Sequence, residues 1–223
     1  SDKSLAIGNT AIASGQYSFA MGYQTSAIGD YSVAMGEQTS AIGESSFAMG
    51  SNTFASGDYS VAMGGYTKAL GGASFAMGFY TKASGTSSVA MGYQTTALGN
   101  YSVAMGSNTF ASGDYSLAMG NGTIASGDNS LVIGRYNSPD SNHLFQIGYG
   151  NNQTSRKNVF IVDKYGNLSG GDASFGFIET NTISAVTTIG GDASFTNVDI
   201  NSGFLNLRGV TMCGGDASFG FIE

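Results

Sequence analysis

The sequence predicts an all-β solenoid, in which one short unit is repeated along an axis, and two observations carry this prediction. From residue 1 to about residue 134 the chain repeats every 14 residues without an insertion or deletion. Glycine, 35 of 223 residues, recurs at two positions of each unit, seven residues apart. One glycine column comprises Gly8, Gly22, Gly36, Gly50, Gly64, Gly78, Gly92, Gly106, Gly120 and Gly134, and the other comprises Gly15, Gly29, Gly43, Gly57, Gly71, Gly85, Gly99, Gly113 and Gly127.

Each unit contains two short segments with alternating apolar residues, such as residues 32–35 (SVAM) and 39–42 (TSAI), each followed by glycine. Alternation with a period of two indicates strands, and glycine can adopt the positive φ of a sharp corner. One unit is therefore predicted to be strand, corner, strand, corner. Residue n should lie directly above residue n+14, so that Met35 and Met49 are neighbours along an axis of roughly 45 Å.

The alternation also assigns side chains to the two faces of each strand. We expect Val33 and Met35 to point into the solenoid, opposite Thr39 and Ala41 of the second strand. The other face of the first strand is then a uniform surface of Ser and Ala, which lets backbones approach closely and predicts an interface between copies of the chain. The predicted interface residues are Ser32, Ala34, Ser60, Ala62, Ser102 and Ala104. Apolar groups on the outer face of the second strand also favour oligomerisation.

Repeats such as SVAMGYQTTALGNY and SFAMGSNTFASGDY resemble the head repeats of trimeric autotransporter adhesins. The resemblance implies a left-handed parallel β-roll solenoid with 14-residue coils, three copies of which pack into a homotrimer. Met stands where that family usually has Ile, a conservative change at an interior position. Such heads occur on bacterial surface adhesins and also inside viral fibres.

Residues 135–169 are predicted to form a neck or cap. The single proline, Pro139, marks a loop that ends the roll. Two strands, around Phe145 and Phe160, and a tight turn at residues 164–167 are expected to follow. The segment is similar to neck segments of phage tail fibres and related trimeric surface proteins. The residues that carry this similarity are Phe145, Gly148, Gly150, Arg156, Asn158, Phe160, Val162, Gly166 and Asn167.

Residues 170–223 repeat more loosely, with the motif GGDASF beginning at Gly170, Gly190 and Gly214. The spacings of 20 and 24 residues are too irregular for coils of fixed length. This pattern resembles viral tail-fibre shafts and implies an intertwined trimeric β-prism or triple β-helix. Because the chain stops inside this repeat, we expect the natural protein to continue beyond residue 223.

Composition excludes several classes of protein. The net charge of −7 argues against binding to nucleic acid, which needs clustered Lys and Arg. No apolar run is long enough to insert into a membrane. Cys213 has no second cysteine for a disulfide, and His143 has no neighbouring ligands for zinc. We therefore expect no cofactor and no metal.

The sequence also lacks a recognisable catalytic motif. There is no GxSxG beside a usable histidine, no GxxxxGK[ST] and no HExxH, so we predict that the chain is not an enzyme. An acidic column follows one corner glycine and consists of Asp30, Glu44, Asp58, Asp114 and Asp128. This column is interpreted as a solvated corner, with cation binding and glycosidase chemistry as alternatives.

A cluster of aromatic and basic residues interrupts the regular pattern of the fifth and sixth coils. Exposed rings beside lysines are typical of sites that recognise carbohydrate or protein. The residues of this candidate receptor patch are Tyr66, Lys68, Phe79, Tyr80, Lys82 and Tyr93. The alternative is that the rings pack against a neighbouring chain of the trimer.

Together these features predict a homotrimeric extracellular fibre that provides rigid reach and attaches to a glycan or protein receptor on a host surface. A viral or phage tail fibre on the virion surface is the leading interpretation, because the last 90 residues are similar to such fibres. A bacterial trimeric adhesin head and stalk is the alternative, followed by a structural filament. The threonine column, represented by Thr25, Thr39 and Thr53, also resembles ice-binding solenoids.

Overall fold

A computed structural model describes residues 3–170 of the chain. Within these residues the protein is a parallel β-solenoid without helices, as the repeat predicts. The shaft predicted for residues 170–223 and the lone Cys213 lie outside the described residues, apart from Gly170 itself.

Each coil contributes one five-residue strand and one two-residue strand. The five-residue strands are β1 (Leu5–Asn9), β3 (Phe19–Tyr23), β5 (Val33–Glu37), β7 (Phe47–Ser51), β9 (Val61–Gly65), β11 (Phe75–Phe79), β13 (Val89–Tyr93), β15 (Val103–Ser107), β17 (Leu117–Asn121) and β19 (Leu131–Arg135). The two-residue strands are β2 (Ile12–Ala13), β4 (Ser26–Ala27), β6 (Ser40–Ala41), β8 (Phe54–Ala55), β10 (Lys68–Ala69), β12 (Lys82–Ala83), β14 (Thr96–Ala97), β16 (Phe110–Ala111) and β18 (Ile124–Ala125). Three further strands follow the last coil: β20 (His143–Tyr149), β21 (Asn158–Asp163) and β22 (Leu168–Gly170).

The strands form two sheets that run the length of the solenoid. The long strands and β20–β22 make a 13-stranded sheet, here called sheet A, and the short strands make a nine-stranded sheet, here called sheet B. Neighbouring coils pair in parallel with a shift of 14 residues, so that Met35 pairs with Met49, as predicted. Backbone hydrogen bonds join the coils, for example from Val33 N–H to the Ser46 carbonyl at 2.9 Å.

The interior of the solenoid is filled by small side chains from both sheets. Ala41 of sheet B is fully buried and Thr39 is buried beside it, which confirms their predicted inward direction. Ala34 of sheet A is fully buried as well, and buried alanines alternate between the two sheets from Ala20 to Ala125. The predicted outward direction of the small residues of sheet A is therefore wrong. The predicted interface residues Ser32, Ala34, Ser60, Ala62, Ser102 and Ala104 have no exposed area even in a single chain.

The large residues of sheet A point the other way. Val33 and Met35, predicted to fill the interior, face outward and are only partly buried. Alternation distinguishes the two faces of a strand but does not say which one lies inside. Side-chain volume makes that choice here, because two sheets this close together leave room between them for Ala, Ser and Thr but not for Met or Phe.

The two glycine columns serve different purposes. Gly36 has φ +121°, and its column supplies the positive φ that the sequence predicts. Gly71 does not have positive φ; a Cβ there would overlap the carbonyl of Gly85 in the next coil. The second column is thus required for close approach of backbones, and the prediction of positive φ is wrong for it. The corners themselves use other residues in the left-handed region, such as Gln38 and Ser45.

The acidic column contributes hydrogen bonds between coils. The Asp58 carboxylate accepts the backbone N–H of Glu44 at 2.9 Å, and Asp114 accepts that of Asn100 at 2.7 Å. Asn100 takes the same role with its amide oxygen and accepts the N–H of Thr86 at 3.0 Å. The column therefore has a structural function as well as an exposed position.

The neck segment closes the end of the solenoid. Strand β20 continues the parallel stacking on β19, with Ile147 beside Ile133, and β21 and β22 then pair antiparallel. Both predicted strands and the predicted turn at residues 164–167 are present. Hydrogen bonds from the Asn167 side chain and from backbone N–H groups of the turn hold the pKa of Asp163 below its usual value.

Residues of the predicted neck signature connect this cap to the last coils. The Arg156 guanidinium donates to the carbonyls of Gly122 at 2.7 Å and Asn137 at 3.1 Å. The buried Asn137 amide in turn donates to the Gln146 side chain at 2.7 Å. These bonds satisfy polar groups that the end of a solenoid would otherwise leave buried without partners.

Adjacent glycines allow a matched test of the backbone contact. Gly71→Ala should destabilise the fold by about 1–3 kcal/mol, because the added Cβ overlaps the next coil and forces the backbones apart. Gly72→Ala is the control, since its Cβ would meet only the Asp58 carbonyl oxygen at 3.9 Å. Thermal or urea unfolding measures both variants. Equal stability of the two would contradict this role of the column.

The acidic column can be tested at Asp58. Asp58→Ala removes the acceptor of the Glu44 N–H and should lower the free energy of unfolding by about 0.5–1.5 kcal/mol. Asp58→Asn should keep most of this stability, because the Asn100 amide oxygen accepts the equivalent backbone N–H, that of Thr86 in the preceding coil. Urea unfolding measures the difference. If Asn were as harmful as Ala, the carboxylate charge rather than the hydrogen bond would matter.

Candidate receptor-binding site

The structure brings the aromatic members of the predicted receptor patch together along one edge of the solenoid. Tyr66 and Tyr80 occupy equivalent corners of successive coils, where both have φ near +55°. Phe79 and Tyr93 end strands β11 and β13. All four rings are between 42% and 47% exposed. Exposure of this extent in four neighbouring rings creates an apolar surface rather than a core.

These four rings form a continuous cluster. Tyr66 and Tyr80 stack with centroids 4.8 Å apart, and Phe79 stacks on Tyr93 at 6.1 Å. Phe79 also meets Tyr80 edge to face at 4.6 Å and Tyr66 at 5.7 Å. Aromatic pairs in these geometries contribute about 0.5–1.5 kcal/mol beyond burial of their area. The cluster is therefore held in one arrangement.

Gly65 makes room for this cluster. A Cβ at Gly65 would lie 2.7 Å from a ring carbon of Phe79, whose ring occupies the space beside the glycine. Gly65 is not among the predicted patch residues. The Gly64-Gly65 pair indicates its role in the sequence, because Gly65 stands where every other coil has a larger residue.

Lys68 and Lys82 lie beside the rings on the outer face of sheet B. They are exposed and pair directly with each other in adjacent strands. They are the only Lys or Arg residues between positions 4 and 134. Among residues 3–170 neither ammonium group lies within 4.0 Å of a carboxylate. Their charges are thus not neutralised within this part of the chain.

A shallow groove of about 540 Å³ opens next to Tyr66, and it spans several neighbouring coils. Its lining residues are Gln38, Asn52, Thr53, Phe54, Tyr66, Lys68, Leu70 and Tyr80. Three members of the predicted patch, Tyr66, Lys68 and Tyr80, line it, whereas Phe79, Lys82 and Tyr93 do not. The other lining residues were not predicted. Gln38 and Asn52 share the repeat position of Tyr66, and Phe54 shares that of Lys68, which could have revealed them.

Stacked tyrosines also occur at the opposite corner of the coils. Tyr17 and Tyr31 stack at 5.4 Å, and Tyr101 and Tyr115 stack at 5.0 Å. No lysine occupies the coils that contain these two pairs. The combination of rings and positive charge therefore distinguishes the predicted patch from ordinary corners of this solenoid.

Other candidate sites have different positions in the structure. No group of three or more His, Cys, Asp or Glu that could hold a metal ion occurs within residues 3–170. His143 lies in the cap, with Nε2 3.7 Å from an Asp140 carboxylate oxygen. The threonine column is buried in the interior from Thr25 to Thr123, so the alternative of an exposed ice-binding ladder is wrong. No helix of the described region is long and apolar enough to cross a membrane.

Comparison with known proteins identifies the repeats. The model of the YadA head domain repeat, which contains two copies of the repeat, matches residues 1–25, 27–53, 55–81, 83–109 and 111–137. No curated protein sequence matches the chain. The leading interpretation as a viral or phage tail fibre receives no support, and the adhesin alternative fits better. The five matches cover more than half of the chain, which therefore belongs to the YadA head domain repeat family, a family of adhesin-type surface fibres.

Proposed function

We propose that the chain forms the head of a homotrimeric attachment fibre exposed on a cell surface. Three protomers pack through the outer face of sheet A. The aromatic rings of the receptor-binding patch lie along one edge of the solenoid, and its two lysines lie on the outer face of sheet B. Family membership and the regular solenoid favour a structural role in adhesion over catalysis.

The proposal of a trimer rests on the outer face of sheet A. It contains two unbroken columns of large apolar residues, here called the apolar face. One column is Leu5, Phe19, Val33, Phe47, Val61, Phe75, Val89, Val103, Leu117 and Leu131, and the other is Ile7, Met21, Met35, Met49, Met63, Met77, Met91, Met105, Met119 and Ile133. A surface this long and apolar marks an interaction site in a soluble protein.

Sheet B is less suited to the interface between protomers. Its outer column changes from Phe54 to the charged Lys68 and Lys82 and then to Thr96. Burial of unpaired ammonium groups is costly, whereas the apolar face can be buried without such a penalty. The trimer therefore leaves the lysines exposed, in three copies around the fibre. Such repetition increases avidity when each site is weak.

Substitutions on the apolar face test the trimer. Met63→Glu combined with Met91→Glu places two charges per chain in the proposed interface, each costing several kcal/mol when buried without a partner. The unmodified chain should have three times the mass of one protomer by light scattering, and the double variant should be monomeric. Circular dichroism should still show β-structure, because both side chains point away from the interior.

Thr96→Glu is the control, because it introduces a glutamate on the outer face of sheet B instead of that of sheet A. This variant should remain trimeric. A monomeric unmodified chain would refute the proposed assembly. If Thr96→Glu and not the methionine variant lost the trimer, sheet B would be the interface instead.

A further inference from the structure

We propose that the groove beside Tyr66 and Lys68 binds an acidic carbohydrate, a chain of sugars bearing carboxylate or sulfate groups. The inference deepens the attachment role and rests on that proposed function for its biological use. Binding itself needs only one protomer, because all residues of the groove come from a single chain.

The open ring face of Tyr66 provides a platform for a sugar. Tyr80 covers one face of the Tyr66 ring, at 4.8 Å and an interplanar angle of 17°. One coil away, the same corner position holds the shorter Asn52, and Tyr66 remains 44% exposed and lines the groove. The flat apolar face of a pyranose ring can stack on such a surface. Phe79, held beside Gly65, fixes the two tyrosines edge-on.

Polar groups of the groove suit the hydroxyl groups of a sugar. The Asn52 amide donates to the Ser51 hydroxyl at 3.1 Å, and the Gln38 amide donates to Gln24 at 3.0 Å. These bonds orient both side chains and leave each amide with a further N–H and acceptor capacity for a ligand. Phe54 and Leu70 add apolar surface to the same groove. A few oriented polar groups in a largely apolar lining are typical of small-ligand sites.

The paired lysines indicate that the sugar is acidic. Like charges opposite each other in adjacent strands destabilise a sheet, and Lys68 and Lys82 pair in this way with no carboxylate within 4.0 Å among residues 3–170. The same position holds Ser40 and Thr96 in other coils, so the fold does not require lysine there. An anionic group of the ligand placed beside both ammonium groups would offset the repulsion between them.

The size of the groove and its lining residues favour a glycan over other anionic partners. The volume of about 540 Å³ lies within the range of small-ligand sites, roughly 300–1,000 Å³. A stable protein partner would need a contact of about 800 Å² on each side, more than this groove offers. The stacking surface and amides suit sugar rings, and the lysines select the acidic ones.

The repeat supplies substitutions that its own coils already accommodate. Lys68→Thr and Lys82→Ser install the residues that Thr96 and Ser40 represent at the same position. Tyr66→Asn installs the residue of the preceding coil, whose Asn52 has the same φ of +55°. The matched control is Tyr101→Ser with Tyr115→Ser. It removes a stacked pair away from the lysines and installs the residue that this corner has at Ser45.

The experiment measures binding of three hexasaccharides to the full chain by isothermal titration calorimetry. Hyaluronan carries carboxylates only, chondroitin sulfate carries carboxylates and sulfates, and maltohexaose is neutral. We expect both acidic sugars to bind at low salt and maltohexaose not to bind. Lys68→Thr/Lys82→Ser and Tyr66→Asn should each weaken acidic-sugar binding at least about tenfold. The Tyr101/Tyr115 control should bind like the parent. Binding of chondroitin sulfate alone would identify sulfate as the recognised group.

Several outcomes would overturn the inference. Equal binding of neutral and acidic sugars would show that the lysines do not select charge. Unchanged affinity in the lysine variant would exclude the groove. If no sugar bound while the lysine variant still lost attachment to cells, the receptor would be a protein and the attachment function would stand. If light scattering showed that the unmodified chain is a monomer, the proposed trimer would be refuted, whereas the inference of sugar binding would not be affected.

Discussion

Hydrogen bonds between successive coils hold each residue against its counterpart 14 residues away, and the rest of the molecule depends on this stacking. The two sheets of a coil lie so close that alanine, serine and threonine fill the space between them. Large apolar side chains are consequently forced outward. The solenoid therefore leaves its large hydrophobic residues on the outer face of sheet A, and this exposed apolar surface is the basis of the proposed trimer.

Periodicity made much of the fold predictable, because an uninterrupted 14-residue repeat with two glycines leaves few architectures open. Strands, corners and the axial pairing of Met35 with Met49 followed directly from it. The repeat does not predict which face of each strand lies inside, because alternation only separates the two faces. Comparison of residue sizes would have resolved it, because Ala34 fits between the sheets and Met35 does not. The second role of glycine, at Gly71, depends on an oxygen atom of another coil and is invisible in a linear pattern.

The candidate site was partly predictable for a related reason. Residues that break a repeat are conspicuous, and this departure from the pattern predicts Tyr66, Lys68 and Tyr80, all of which line the groove. The groove also uses residues that obey the repeat, such as Asn52, and these carry no signal of their own. The shape of the groove depends on a difference between neighbouring coils, because Asn52 in one coil is followed by Tyr66 at the same corner of the next. A regular scaffold thus acquires a specific surface through one or two substitutions at corners that tolerate many residue types.

Stacking between nearest neighbours also determines how such a head can evolve. Loss or gain of a 14-residue unit rejoins the alanine and glycine columns in register and changes the length by one coil, about 4.8 Å. A change that is not a whole number of coils would lose this register. Residues 51–63 and 107–119 are identical except for Val61 and Leu117, and they lie four coils apart. Unequal recombination between the corresponding gene segments would delete or duplicate four whole coils, which would change the length of the head and the number of proposed binding grooves.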